Sequence, residues 1–281
     1  MPFNYKTKPY AHQKEALLRS FARDNYAYFM EMGCGKSKVL IDNITWLYEN
    51  KKIDTAIIIA PKGVYMNWKN AEIPIHLPDN IEKNVYIWKA SANKTEKKVL
   101  EEGVKTRDKL RILLVNVESF ATAKVIKYLE AFTHRSNFML AVDESTTIKN
   151  IKAKRTKSVL KLGDSAKYKR ILTGSPITQS PMDLYAQCAF LDKDLLGFDS
   201  YWSFQGRYAI IRQTRMGNHS FQQVVGFKNL EELTDKLHNF TYRVTKKEAL
   251  DLPDKIYTTR EVVLTSDQIK HYNSMKDVAV A

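Results

Sequence analysis

Residues 30–37 read MEMGCGKS, between a short apolar run, YAYF at 26–29, and a stretch of helical period that begins at Lys36. A glycine-rich turn between a strand and a helix lets backbone N–H groups face a polyphosphate at the positive end of the helix. In such a loop Met32, Gly33, Cys34 and Gly35 wrap the phosphates, Lys36 reaches the β and γ phosphates, and the Ser37 hydroxyl ligates Mg²⁺. The general pattern GxxxxGK[ST] has its first glycine where this chain has Met30, so the match is imperfect. Alone, GCGKS is also compatible with an ordinary glycine turn before a helix.

A second string changes that balance. FMLAVDEST, residues 138–146, carries the acidic pair Asp143 and Glu144 directly after a hydrophobic strand. In a parallel sheet, the C-terminal end of such a strand lies at the ligand crevice, beside a phosphate loop. Asp143 is expected to hold Mg²⁺ through water, and Glu144 to orient and polarise an attacking water. An acidic pair there also suits a helix N-terminus, and the two roles are compatible.

The surrounding runs set the fold class. TAIIIA, RILLVN and FMLAVD are nearly continuous apolar stretches, as strands covered on both faces must be. Strands are expected at 26–29, 55–59, 85–88, 111–115, 138–142 and 170–172, with helices at 36–48, 95–104, 122–132 and 181–190. Strands alternating with helices predict an α/β fold with a parallel sheet. After about residue 195 the period is lost, and an irregular, partly helical insertion with a hairpin near Gly217 is expected. A helix at 229–238, a strand at 256–264 and a final helix from Ser266 complete the reading. The expected division is a nucleotide lobe over 1–195 and an insertion with a return segment over 196–281.

Composition narrows the class further. With 44% hydrophobic residues, 11% aromatics, 10 Gly and 8 Pro, the chain can bury a substantial core. Lys and Arg number 45 against 31 Asp and Glu, a net charge of +14 that favours a polyanionic partner. Two distant cysteines, Cys34 and Cys188, form no disulfide framework, which suits a reducing compartment. No apolar run approaches membrane-spanning length, and the N-terminal MPFNYKTKPY lacks the apolar segment of a signal peptide. A soluble, intracellular protein, cytoplasmic or nucleoid-associated, is expected, and the lean architecture suggests a bacterial or viral source.

With the two motifs in order, other strings complete a pattern. The chain resembles the N-terminal RecA-like lobe of superfamily-two helicases, in the Swi/Snf branch of chromatin remodellers and DNA translocases. The resemblance runs from about Tyr5 to Tyr272. MEMGCGKS is similar to that branch's DEMGLGKT, which also lacks the first glycine. KPYAHQKEAL resembles the adenine-reading segment, which implies that Gln13 recognises the base. VDESTTIKN resembles the DEAHxIKN box, and LTGSPI, with Thr173, Gly174 and Ser175, resembles the LTGTPI motif that couples nucleotide state to nucleic acid. Thr146 stands where the family has histidine, so this link must use a hydroxyl. YRVTKKEALDLPDK is similar to the stretch that leads toward a second lobe.

The resemblance implies an ATP- and Mg²⁺-binding, P-loop NTPase lobe of a DNA-dependent ATPase. Its track would be double-stranded DNA gripped by the backbone, with RNA a further possibility. Turnover would need a second, C-terminal RecA-like lobe that these 281 residues do not contain; it carries the arginine fingers, worth about 10³ to 10⁵ in rate. The implied DNA contacts come from loops at one end of the sheet: Lys62, Asn67 and Lys69, then Asn116 and Ser119, then Lys149. Trp68 reads better as a core anchor than as a base-stacking residue. A non-catalytic module holding nucleotide as a structural ligand is the competing reading, and the intact Lys36, Ser37, Asp143 and Glu144 speak against it.

Overall fold

In the computed structural model, residues 3–216, 219–251 and 256–280 are described. The apolar runs become parallel strands because each alternates its side chains between two buried faces. Ala27, Phe29, Ile57, Ile59, Leu113, Val115, Leu140 and Val142 pack on one side, and Tyr26, Tyr28, Met30, Ala56, Ile58, Ile112, Leu114, Met139 and Ala141 on the other.

In chain order, α1 (Ala11–Ser20), β1 (Asn25–Met30), α2 (Lys36–Glu49) and β2 (Thr55–Ala60) come first. Two short turns follow, α3 (Tyr65–Asn67) and α4 (Ile73–His76), joined by a π-helical segment at Trp68–Glu72. Next come β3 (Lys83–Ile87), α5 (Lys94–Lys105), β4 (Leu110–Asn116), α6 (Ala123–Thr133), β5 (Phe138–Asp143), α7 (Lys154–Gly163), β6 (Tyr168–Leu172) and α8 (Asp183–Leu191). The chain continues through α9 (Tyr201–Tyr208), β7 (Ala209–Met216), β8 (His219–Phe227), α10 (Leu230–His238), β9 (Thr241–Val244), α11 (Lys246–Ala249) and α12 (Ser266–Val280). The six strands expected before residue 195 and the helices around them are present.

The seven strands of the main sheet run in the order β3-β4-β2-β5-β6-β1-β9, every pairing parallel. Helices cover both faces, so the fold is the RecA-like α/β arrangement. All C-terminal strand ends share one edge, and the loops after β1, β2, β4, β5 and β6 therefore emerge together.

Three features differ from the sequence reading. β9 is not among the expected strands: TYRV is short, and its exposed Arg243 sits between buried neighbours, the pattern of an edge strand. The compact unit runs from Met1 to Leu250, so residues 196–250 share it with the sheet, and the second unit is Asp251–Ala281. Phe204 and Tyr208 of α9 anchor the insertion in the core, both fully buried. Finally, no strand forms at 256–264; Ile256 and Val263 are 88% and 94% exposed, and a lone extended segment has neither ladder partner nor burial to hold it. The hairpin is present as β7 and β8, antiparallel with a register irregularity at Ile210/Ile211, while its turn at Gly217 lies outside the described residues. Among the described residues no helix is long and apolar enough to cross a membrane.

Candidate nucleotide site

The loop after β1 owes its shape to two glycines in left-handed backbone, Gly33 at φ 85° and Gly35 at φ 79°. Gly35 is the N-cap of α2, and Lys36 and Ser37 form the first turn. A side chain at Gly35 would also overlap the Gln13 amide nitrogen and displace that amide from its bond to Cys34, in addition to the conformational strain.

Helix α1 pins the loop from below. The buried carbonyl of Cys34 accepts hydrogen bonds from His12 Nε2 at 2.9 Å and from Gln13 Nε2 at 3.2 Å. The other end of the Gln13 amide accepts the Tyr10 N–H at 3.0 Å. Gln13 is thus buried and bonded at both ends, while Tyr10 is 62% exposed and stacks on His12. Met32 is exposed at the rim of the loop. Lys36 Nζ donates to the Met30 carbonyl at 3.1 Å, a bond to a neutral acceptor that an incoming phosphate can displace.

The acidic pair arrives at the end of β5. Asp143 Oδ2 accepts the indole N–H of Trp68 at 2.9 Å, and Oδ1 accepts the Glu144 N–H at 3.0 Å. Burial raises the Asp143 carboxyl to about 6, opposed by the Trp68 bond and by the nearby positive charge of Lys36, with Glu144 adding to the rise. Glu144 takes left-handed backbone, φ 48° and ψ 62°, which turns its carboxylate toward the loop after β6. There Thr173 Oγ1 donates to Glu144 Oε2 at 3.2 Å. The loop after β6 also touches the phosphate loop: a Cβ at Gly174 would lie 3.1 Å from the Met32 nitrogen. Lys36, Asp143, Glu144, Thr173 and Gly174 therefore meet at one edge of the sheet. Ser175 is exposed, and its N–H bonds to Thr173 Oγ1 at 3.2 Å.

The acidic box and the segment that follows β6 are joined by three links. Glu144 to Thr173 is the first. In the second, Ser145 Oγ donates to Gln187 Oε1 at 2.6 Å, and Gln187 Nε2 donates to the Pro176 carbonyl at 2.8 Å. In the third, Lys149 Nζ bonds to Thr178 Oγ1 and lies 3.3 Å from Asp183. Thr146, expected to supply the linking hydroxyl, makes no side-chain hydrogen bond among the described residues; its neighbours do so instead.

The other nucleic-acid candidates fall on loops of the same edge. Ala60 and Asn116 are register partners at the ends of β2 and β4, which places their loops side by side. Lys62, Asn67 and Lys69 are exposed. Asn116 and Ser119 are occupied with each other, the Asn116 Oδ1 accepting both the N–H and the hydroxyl of Ser119 at 2.9 and 2.7 Å. Trp68 is 1% exposed, a core anchor as expected. The Trp68 bond to Asp143 and the parts played by His12 and Gln187 have no signal in the sequence, because partners distant along the chain bring them in. A cleft of about 580 Å³, lined in part by Lys149, Lys152, Gln179, Trp202 and Gln222, separates the segments after β5 and β6 from the hairpin.

Comparison with known proteins agrees with this architecture. A sequence profile of the SNF2-related domain matches residues 24–281. The chain is 25% identical over 255 residues to the human helicase-like transcription factor, covering 86% of this chain and 23% of that protein. It is 28% identical over 254 residues to the SWI/SNF chromatin-remodeling complex subunit snf22 of Schizosaccharomyces pombe, covering 88% of this chain and 14% of that protein. The chain thus spans less than a quarter of these relatives. The Sulfolobus solfataricus SWI2/SNF2 ATPase core in complex with dsDNA superposes with a TM-score of 0.66 at 24% identity, over 100% of this chain and 55% of that one.

Proposed function

The chain belongs to the SNF2-related domain family, and from that premise we propose that it is the ATP-gripping lobe of a DNA-dependent motor that translocates on duplex DNA. The observation that carries the reading is the convergence of Lys36, Asp143, Glu144 and Thr173 on one sheet edge, with Glu144 already bonded to the coupling loop. A nucleotide held only as a structural ligand would have no use for that bond.

The residues fit a Mg²⁺–triphosphate: two left-handed glycines open a cradle, one lysine is held by a lone carbonyl, and a buried carboxylate stands at the strand end. Ser37 and Asp143 would hold the ion, which when bound neutralises charge on the phosphates. Lys36 exchanges the Met30 carbonyl for phosphate oxygen. Glu144 orients the attacking water through its free carboxylate oxygen, while Thr173 fixes the other. Adenine recognition by Gln13 requires the base to take over its bond to Cys34 or Tyr10. Lys62, Asn67, Lys69, Asn116 and Ser119 belong to the proposed DNA face, Lys149, engaged by Thr178 and Asp183, belongs to the coupling loop instead, and turnover requires a second RecA-like lobe with its arginine fingers.

The test is ATP hydrolysis by this chain joined to a C-terminal lobe, with and without duplex DNA. Stimulation by duplex, lost in Lys36→Ala and Glu144→Gln, is expected. Absence of stimulation by any nucleic acid overturns the motor reading, and stimulation by RNA alone changes its track.

A further inference from the structure

The last strand of the sheet ends beside the phosphate loop. Met30 and Val244 are register partners, the Glu31 N–H donates to the Val244 carbonyl at 2.9 Å, and the Lys246 N–H donates to Glu31 Oε2 at 2.8 Å. These successive contacts carry the exit of β9 along the entrance of the loop.

They also lay the Lys246 side chain over Gly33. A Cβ at that glycine would stand 3.0 Å from Lys246 Cε and 3.5 Å from Nζ. The side chain is half-buried, and among the described residues its ammonium makes no ion pair. Glu31 accepts the Lys246 backbone N–H and forms no ion pair with the ammonium. Burial and Glu31 raise the Cys34 thiol while Lys36 and Lys246 oppose the rise, so both ammonium groups act on the same loop. A partly desolvated cation with no ion-pair partner gains when an anion completes it. The loop beneath is shaped to hold one.

We propose that Lys246 is a second phosphate-binding lysine, which meets the polyphosphate of a bound nucleoside triphosphate from the Gly33 side of the loop while Lys36 meets it from the Met30 side. The proposal rests on the nucleotide-lobe reading and adds to it a residue from the segment that leaves the sheet. Nucleotide occupancy would then draw β9 and α11 onto the loop, so the lobe's exit senses whether the site is filled.

The test uses the 281-residue chain, titrated with fluorescently labelled ATP and Mg²⁺ and competed with unlabelled ATP, ADP and AMP. Lys246→Met keeps an apolar stem over Gly33 and removes the charge; Lys246→Arg keeps the charge. Lys246→Met is expected to weaken ATP about tenfold, the weight of one charge-assisted hydrogen bond, with AMP unchanged and Lys246→Arg close to the wild type. If Lys246→Met matches the wild type while Lys36→Ala loses ATP, the proposal is overturned and the nucleotide reading stands. Equal weakening of AMP and ATP, with a lowered melting temperature, would reduce Lys246 to a packing residue and overturn it too. If the wild type itself binds no ATP, both readings fall.

Discussion

The indole N–H of Trp68 donates to Asp143 Oδ2 at 2.9 Å, a bond between residues 75 positions apart that ties the π-helical segment after β2 to the acidic end of β5. A single extra residue in a helix produces such a π turn, and these turns gather at functional sites. Replacing Trp68 with Phe retains much of the packing and removes the donor. The buried oxygen then has no partner, and chemical denaturation should show a loss of about 1–3 kcal/mol. A change below about 0.5 kcal/mol, ordinary for a neutral surface substitution, would mean the bond contributes little.

Thr173 and Thr146 should behave oppositely. Thr173→Val removes the hydroxyl that bonds Glu144 and receives the Ser175 N–H. ATP affinity should stay within about threefold, while DNA-stimulated hydrolysis by the two-lobe protein falls by roughly tenfold or more, as for a lost positioning group. Thr146→Ala should leave both near the wild type. A larger loss from Thr146→Ala than from Thr173→Val would return the coupling role to Thr146.

Two glycines make a matched pair for stability. Gly35→Ala forces an L side chain into φ 79° against the Gln13 amide, and should cost about 1–3 kcal/mol and abolish ATP binding. Gly206 lies in α9, and a Cβ added there meets nothing within 4 Å, so Gly206→Ala should gain about 0.5–1 kcal/mol. Thermal melts of both variants read the contrast.

Burial raises the Asp42 carboxyl to about 6 from 3.8, against the hydrogen bond and charge of Lys38, whose ammonium lies 2.8 Å away. The folded protein therefore holds this proton up to about pH 6, whereas the unfolded chain releases it near pH 4. The stabilisation is complete below about pH 4 and is lost as pH rises through about 6. Measured as the wild type minus Asp42→Asn, unfolding free energy should fall across that window by on the order of 1–3 kcal/mol. A flat difference would contradict the raised carboxyl.

Duplex binding should distinguish the lysines. Lys62 and Lys69 are exposed, and each Ala variant should reduce the log–log salt slope by about 0.9, one phosphate apiece. Lys149 is held by Thr178 and Asp183, so Lys149→Ala should alter stimulated hydrolysis and leave the slope nearly unchanged. The reverse order would place DNA on the coupling loop.

The parts of the site legible in the sequence are those carried by adjacent residues. MEMGCGKS and FMLAVDEST each contain strand, turn and functional side chains in one string, and continuous burial marks β2, β4 and β5. Side-chain partnerships are not legible, because hydrogen bonds such as Ser145 to Gln187 or His12 to the Cys34 carbonyl depend on strand order and not on spacing. β9 has too few residues for a period, and Arg243 breaks its apolar run. At 256–264 the reverse holds: β-branched and aromatic residues are plentiful, but a strand also needs a neighbour.

β9 closes the sheet on the flank of β1, yet it is supplied some seventy residues after β6, beyond the whole α9 and hairpin excursion. During synthesis, then, the strand that leads into the phosphate loop waits with one side of its backbone unpaired until Thr241 has emerged. Fragments cut before that point should expose this open flank and self-associate, however complete their motifs look on paper.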